Sequence, residues 1–149
     1  MVTYDSPIGR LLLKGSKALE SVSLERCPVY KETNPVLEQA LAWLEAYFGG
    51  APLPPMPPLS SQGTTYQQAL WRELEAIPYG QALTYGQVSE RLQARGCASS
   101  PRSVGRGLGS NPILLFRPCH RVIAHKGLGG FAEGVEVKKW LLTHEGIRW

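Results

Sequence analysis

Asn111-Pro112-Ile113-Leu114-Leu115-Phe116-Arg117-Pro118-Cys119-His120-Arg121-Val122-Ile123 is the stretch around which the rest of the chain is read. An apolar run leads to Pro118, which fixes its own φ and biases Arg117 towards extended backbone, so Cys119 is expected to leave a strand at a stiff corner. His120 and Arg121 follow at once, a proton acceptor and a permanent positive charge beside the sulfur, and such surroundings favour thiolate over thiol. A cysteine after an apolar run is also, most often, a small buried hydrophobe, and neighbours along a strand point to opposite faces. Adjacency of Cys and His therefore leaves both a nucleophile and a core residue open.

Working outward, the 149 residues suffice for a proper core, in one domain or in two small ones. No run of about 18 apolar residues occurs and no basic, hydrophobic leader follows Met1, so neither a membrane span nor a secretory signal is indicated. A cytoplasmic protein without membrane association is expected. Cys27, Cys97 and Cys119 form neither a disulfide framework nor a Cys-x-x-Cys pair, and all three histidines fall in the C-terminal part, so no metal site is expected. Cys27 and Cys97 read as buried or incidental thiols.

Charge is divided unevenly. Residues 1–63 hold five Lys/Arg against six Asp/Glu, and residues 64–149 hold eleven against six. From Arg91 to Lys126 lie Arg91, Arg95, Arg102, Arg106, Arg117, Arg121 and Lys126 with no acidic residue between them. A solvated face normally mixes signs, so a one-signed stretch around Cys119 points to a polyanion.

The pattern predicts an α+β fold. Turn signals at Ser6-Pro7 and Lys14-Gly15-Ser16 separate apolar runs into a small antiparallel sheet that begins with a hairpin. Asn34-Pro35 then opens a helix that ends at Gly49-Gly50, completing a supporting lobe over residues 1–50. Prolines 52, 54, 55, 57 and 58 favour polyproline II, so residues 51–62 read as a linker.

Residues 63–149 read as a mostly helical, winged-helix-like domain. Thr64 or Thr65 caps one helix and Thr84 a second; Ser100-Pro101 opens a third over residues 101–108. The last two make a helix-turn-helix whose second member carries Arg102, Ser103 and Arg106. Gly105, Gly107 and Gly109 replace the long polar side chains that a base-reading helix would need, which suits a backbone pressed against a groove beside an extruded base. The glycine-rich loop from Ala124 to Gly134 lacks a phosphate-cradle fingerprint and reads as a pocket wall, and Val135–His144 reads as a closing helix.

Pro118-Cys119-His120-Arg121 followed by Val122-Ile123, with Asn111-Pro112 before it, closely resembles the active-site motif of the O6-alkylguanine-DNA alkyltransferases, and the resemblance extends over most of the chain. It implies DNA repair by direct reversal: a monomer without cofactor takes the alkyl group of an O6-alkylguanine, with O4-alkylthymine a further candidate, once and irreversibly onto Cys119. His120 matches the base, acting through a water, and Glu145 the acid that orients it. Asn111 matches the residue tying the helix-turn-helix to the active-site segment, Tyr85 a tyrosine that helps rotate the phosphate and donates towards the base, and Arg102 the arginine that fills the gap left by the flipped nucleotide. Val122, Gly130, Phe131, Ala132 and Lys138 match the guanine pocket. Arg91, Arg95, Arg106, Arg121, Ser103 and Lys126 are candidates for contacts to double-stranded DNA.

Two departures stand out. Gly130-Phe131-Ala132-Glu133-Gly134 replaces the family's Gly-Tyr-x-Gly-Gly, so Glu133 could narrow or acidify the entrance, and the segment between Tyr85 and Arg102 is longer than in many members. Three other readings compete. A lesion-binding relative would lack Cys119. A winged-helix regulator with a redox thiol would bind selected sequences, and a Cys-His hydrolase would give the basic stretch no role.

Overall fold

The computed structural model describes residues 1–149 and divides them into two compact units. The first joins Met1–Ser61 to Pro112–Phe116; the second joins Gln62–Asn111 to Arg117–Trp149.

In the first unit, β1 (Val2–Ser6), β2 (Gly9–Gly15) and β3 (Leu19–Leu24) form an antiparallel sheet in the order β1-β2-β3. The β1–β2 hairpin closes where Ser6 faces Gly9, whose φ of 127° is one that side chains rarely adopt. Leu11, Leu12 and Leu13 are all buried, so the centre of β2 is covered on both faces. Helix α1 (Pro35–Gly49) begins where Asn34 accepts a bond from the Leu37 amide at 2.9 Å, and it ends at Gly50 in the left-handed region. Its Leu37, Ala40, Trp43, Leu44 and Tyr47 are buried.

As the last strand of the order, β3 would present an open edge. Two distant segments cover it. Leu19 donates to the Pro58 carbonyl and accepts from the Ser60 amide, so the end of the proline-rich stretch read as a linker is hydrogen-bonded into this unit. Val22 donates to the Pro112 carbonyl at 2.9 Å and accepts from Leu114 at 3.0 Å. Phe116 then packs 4.4 Å from Trp43, centroid to centroid.

The stretch before Cys119 thus departs from the expected strand. Pairing stops after the single bridge at Ile113, and Leu115 adopts φ 73°. A left-handed leucine costs about 1–2 kcal/mol. It is held there by flanking side chains from Ile113 to Phe116, all fully or nearly buried. Cys119 leaves no strand; it opens a 3₁₀ turn, Cys119–Arg121.

In the second unit, α2 (Thr65–Glu75), β4 (Leu83–Thr84), α3 (Tyr85–Ala94), α4 (Pro101–Gly109), β5 (Val122–Ile123) and α5 (Val135–His144) follow in order. Thr64, Thr84 and Ser100 each cap the helix they precede, the first two within full Thr-x-x-Gln capping boxes. β4 and β5 pair in parallel, Leu83 with Val122 and Thr84 with Ile123. Leu70, Leu74, Val88, Leu92, Val104 and Leu141 form a core with no solvent exposure. No helix of the protein is long and apolar enough to cross a membrane.

One glycine of α4 is required by this packing. A Cβ on Gly107 would collide with the Leu70 side chain of α2, whereas one on Gly105 would meet nothing within 4 Å. Gly107→Ala should therefore lose about 1–3 kcal/mol through overpacking, despite the better helix propensity of alanine. Gly105→Ala should hold or gain up to about 1 kcal/mol. Urea unfolding midpoints, below wild type for Gly107→Ala and equal to or above it for Gly105→Ala, check this.

Candidate active site

The site lies within the second unit and is assembled from α3, α4, the 3₁₀ turn, the glycine-rich loop and the end of α5. Pro118 precedes the turn, and the Arg121 amide closes it on the Pro118 carbonyl at 3.0 Å. The tight turn sends three successive side chains in different directions. Cys119 lines a cavity of about 280 Å³, while His120 has no exposed surface and faces inward.

His120 Nε2 lies 2.5 Å from Oε2 of Glu145, the residue that caps the C-terminus of α5. Glu145 Oε1 accepts from Arg121 Nε at 2.7 Å and from the Gly80 amide at 3.1 Å. Arg121 also donates to the Ile77 carbonyl at 2.8 Å. Burial would raise the Glu145 carboxyl, but hydrogen bonds and charge from His120 and Arg121 prevail and hold it to about 2. Burial lowers His120 and outweighs the pull of Glu145, leaving a neutral imidazole. With Glu145 ionised, the ring proton belongs on Nε2 and Nδ1 is a free acceptor; Nδ1 is buried and has no protein partner. The arrangement is an oriented base with one open lone pair.

Cys119 itself corrects an expectation. Burial pushes its thiol up to about 11, helped by the charge of Glu133 and opposed by a hydrogen bond from Asn111 and by Lys138. Arg121, the cation expected to favour thiolate, is committed to Glu145 and Ile77 instead. The resting residue is a thiol, so its proton must be removed as it reacts.

The cavity is bounded on one side by Gly105, Leu108 and Gly109 of α4 and on the other by Gly130, Phe131, Ala132 and Glu133, with Tyr85, Asn111 and Cys119 completing it. Asn111 donates to the Arg117 carbonyl at 3.1 Å, which fixes the end of α4 to the segment entering the turn. Lys138 and Val122 do not line the cavity. Both are fully buried, and Lys138 Nζ donates to the carbonyls of Val122 at 2.7 Å and Gly130 at 3.1 Å, bracing β5 against the loop. Burial lowers the Lys138 amine to about 8. Tyr85 sits under the same loop: its hydroxyl bonds the Gly130 backbone, and a Cβ on Gly129, at φ 75°, would strike that hydroxyl.

Of the expected DNA contacts, Arg91, Arg102, Arg106 and Lys126 are exposed. Arg95 is exposed but paired with Glu73. Arg121 is buried and internal, a correction whose cause is the Glu145 carboxylate beside it. Ser103 is half-buried, holding the α4 cap and the Tyr66 hydroxyl, so it serves the helix itself. Arg117, part of the basic stretch, is also internal, lying 4.4 Å over the Trp71 ring and bonding Glu75 at 3.3 Å. The sequence reading missed the Gly80 amide on Glu145 and the dual duty of Arg121. The first left no signal; the second was visible only as a cation adjoining His120.

The family model for "6-O-methylguanine DNA methyltransferase, DNA binding domain" matches residues 65–147. A methylated-DNA--protein-cysteine methyltransferase of Saccharolobus islandicus is 40% identical over 105 residues, covering 70% of this chain and 66% of that protein. The chain thus spans just under two thirds of that relative. One of Methanosarcina acetivorans with the same name is 36% identical over 152 residues, covering 96% of each. Among solved structures, Mycobacterium tuberculosis OGT in complex with DNA superposes with a TM-score of 0.82 at 35% identity, covering 96% of this chain and 90% of that one.

Proposed function

Because the chain belongs to the 6-O-methylguanine DNA methyltransferase family, we propose that it repairs DNA by direct reversal, moving the alkyl group of an O6-alkylguanine onto Cys119. The observation that carries this reading is a buried thiol on a cavity wall, followed in the same turn by a neutral histidine held by an ionised carboxylate. O6 of guanine is out of reach inside a duplex, so the nucleotide must be extruded into the cavity, and an alkylated guanine, which pairs poorly, costs less to extrude.

In the step itself the thiol proton passes towards His120 Nδ1, through a bridging water. Sulfur attacks the alkyl carbon, the S–C bond forms and the C–O6 bond breaks. Guanine leaves with the electron pair on O6 and takes up a proton, for which the Tyr85 hydroxyl, on the cavity wall, is the candidate donor. Glu145 stays ionised throughout and stabilises the imidazolium, as the acid of a hydrogen-bonded triad does. The product is a thioether, and no residue of the site is arranged to cleave it, so each molecule acts once.

Docking is supported by α4. Gly105 and Gly109 line the cavity, and a Cβ on either would meet no atom of the protein, so internal packing does not demand glycine there. Their smallness serves a partner that comes close. Arg102 lies one turn before Gly105 on the same helical face, suited to filling the gap that an extruded nucleotide leaves. Arg91, Arg106 and Lys126 supply phosphate contacts, joined by Arg95 if it leaves Glu73, making affinity largely indifferent to sequence and steeply dependent on salt. The reading implies residence in the cytoplasm, with access to the DNA.

The test is intact-mass measurement after incubation with a duplex carrying one O6-methylguanine. One methyl group per protein, mapping to Cys119 and saturating at one equivalent of lesion, is expected. Tight lesion binding without an adduct would make the protein a damage recogniser, and neither adduct nor lesion preference would favour the redox regulator.

A further inference from the structure

Glu133 is the one acidic residue in the cavity wall that also holds Cys119. The other ionisable groups there are the Cys119 thiol and the Tyr85 phenol; burial shifts both of them, and the Glu133 carboxyl too, towards their neutral forms, a shift that a backbone hydrogen bond opposes at Glu133. Glu133 is half-buried, and no Lys, Arg or His side chain is paired with it. Lys138, the nearest buried cation, commits its ammonium to the Val122 and Gly130 carbonyls. The charge of Glu133 is nevertheless felt at the sulfur, where it opposes ionisation. An unpaired carboxylate close enough to act on the nucleophile acts equally on whatever the nucleophile attacks.

We propose that Glu133 is a charge filter at the Cys119 cavity, selecting neutral O6 substituents and rejecting anionic ones such as carboxymethyl. This deepens the alkyl-transfer reading and rests on it. A substituent attached at O6 must lie against Cys119 to react, so a carboxylate on it is brought into the same small, partly water-excluded space as Glu133. Like charges confined to one cavity of about 280 Å³ repel in a medium less polar than water, an effect on the order of tenfold in rate or affinity. Methyl and 2-hydroxyethyl groups carry no charge and escape the penalty.

The test compares single-turnover transfer from duplexes carrying O6-methylguanine, O6-(2-hydroxyethyl)guanine or O6-carboxymethylguanine, for wild type, Glu133→Gln and Glu133→Asp. Because Glu133 touches the cavity, absolute rates are expected to move, and the readout is the ratio between lesions. Glu133→Gln should raise the carboxymethyl-to-hydroxyethyl ratio about tenfold, and Glu133→Asp should leave it near the wild-type value. The same ratio is measured in equilibrium binding with Cys119→Ala as background, which needs no chemistry. Ratios unchanged by Glu133→Gln in both assays overturn the filter. Absence of transfer from every lesion, with the binding ratio still shifted by Glu133→Gln, would overturn the transfer reading and leave the filter standing.

Discussion

Cys119→Ala should leave O6-methylguanine in a duplex untouched after any length of incubation, while binding that duplex within a few-fold of wild type. The loss is complete because the cavity wall offers no second thiol: Tyr85 has a phenol that burial raises from an already high value, and Glu133 a carboxylate, a far weaker acceptor of alkyl groups than sulfur. Folding should survive, since the substitution removes one sulfur from a residue that is 7% exposed, a loss of about 1 kcal/mol. Lesion content by nuclease digestion and mass spectrometry, beside fluorescence anisotropy for binding, checks both halves. Residual transfer by this variant would remove Cys119 from the mechanism.

Glu145→Ala is expected to damage stability and rate together. The carboxylate receives His120, Arg121 and the Gly80 amide, all in a buried setting, so deletion strands a guanidinium, an amide and an imidazole at once. Removing one partner of a buried pair costs about 3–5 kcal/mol. The rate should fall by roughly 10²–10⁴, since the base loses its orientation and the charge that stabilises its protonated form. Glu145→Gln separates the two effects by retaining shape and an acceptor while losing charge.

Acid unfolding gives an independent reading of the same carboxylate. A group held to about 2 when folded, against about 4.3 when unfolded, stabilises the fold above pH 4.3 and loses that contribution as pH falls towards 2. The amount is about 3 kcal/mol. His120, also lowered in the fold, adds a loss of the same sign that begins as pH drops below about 6.5. Denaturant unfolding of wild type at pH 7, 4 and 2.5 should show stability falling across both windows, and Glu145→Gln should flatten the lower one.

Features of the fold set by neighbouring residues were legible in advance. Asn34, Thr64, Thr84 and Ser100 cap helices because a side-chain oxygen reaches an amide three residues ahead, a purely local relation. The β1–β2 hairpin and the ending of α1 at glycine are of the same kind. What escaped depends on partners remote in sequence. Leu115 turns left-handed because of where its neighbours are buried, a fact no apolar run announces. Arg121 reads as a surface cation until Glu145, 24 residues on, is placed beside it. Lys138 reads as a pocket residue until its ammonium is seen to brace two carbonyls behind the wall. The thiolate expected at Cys119 failed for one reason: sequence shows which charges are near a sulfur but not how dry its surroundings are.

The excursion of Pro112–Phe116 into the first unit has a consequence for biosynthesis. When residue 61 leaves the ribosome the first unit is still unfinished, because Val22 awaits hydrogen-bond partners about 90 residues downstream. Until they arrive, β3 exposes part of an unpaired edge, the kind of surface on which nascent chains misassociate. Most of the helical unit must be synthesised before the sheet is sealed, and the sealing segment ends two residues before Pro118, the threshold of the reactive turn. The nucleophile follows the sealing segment directly, so a chain stalled before it lacks both the closed sheet edge and Cys119.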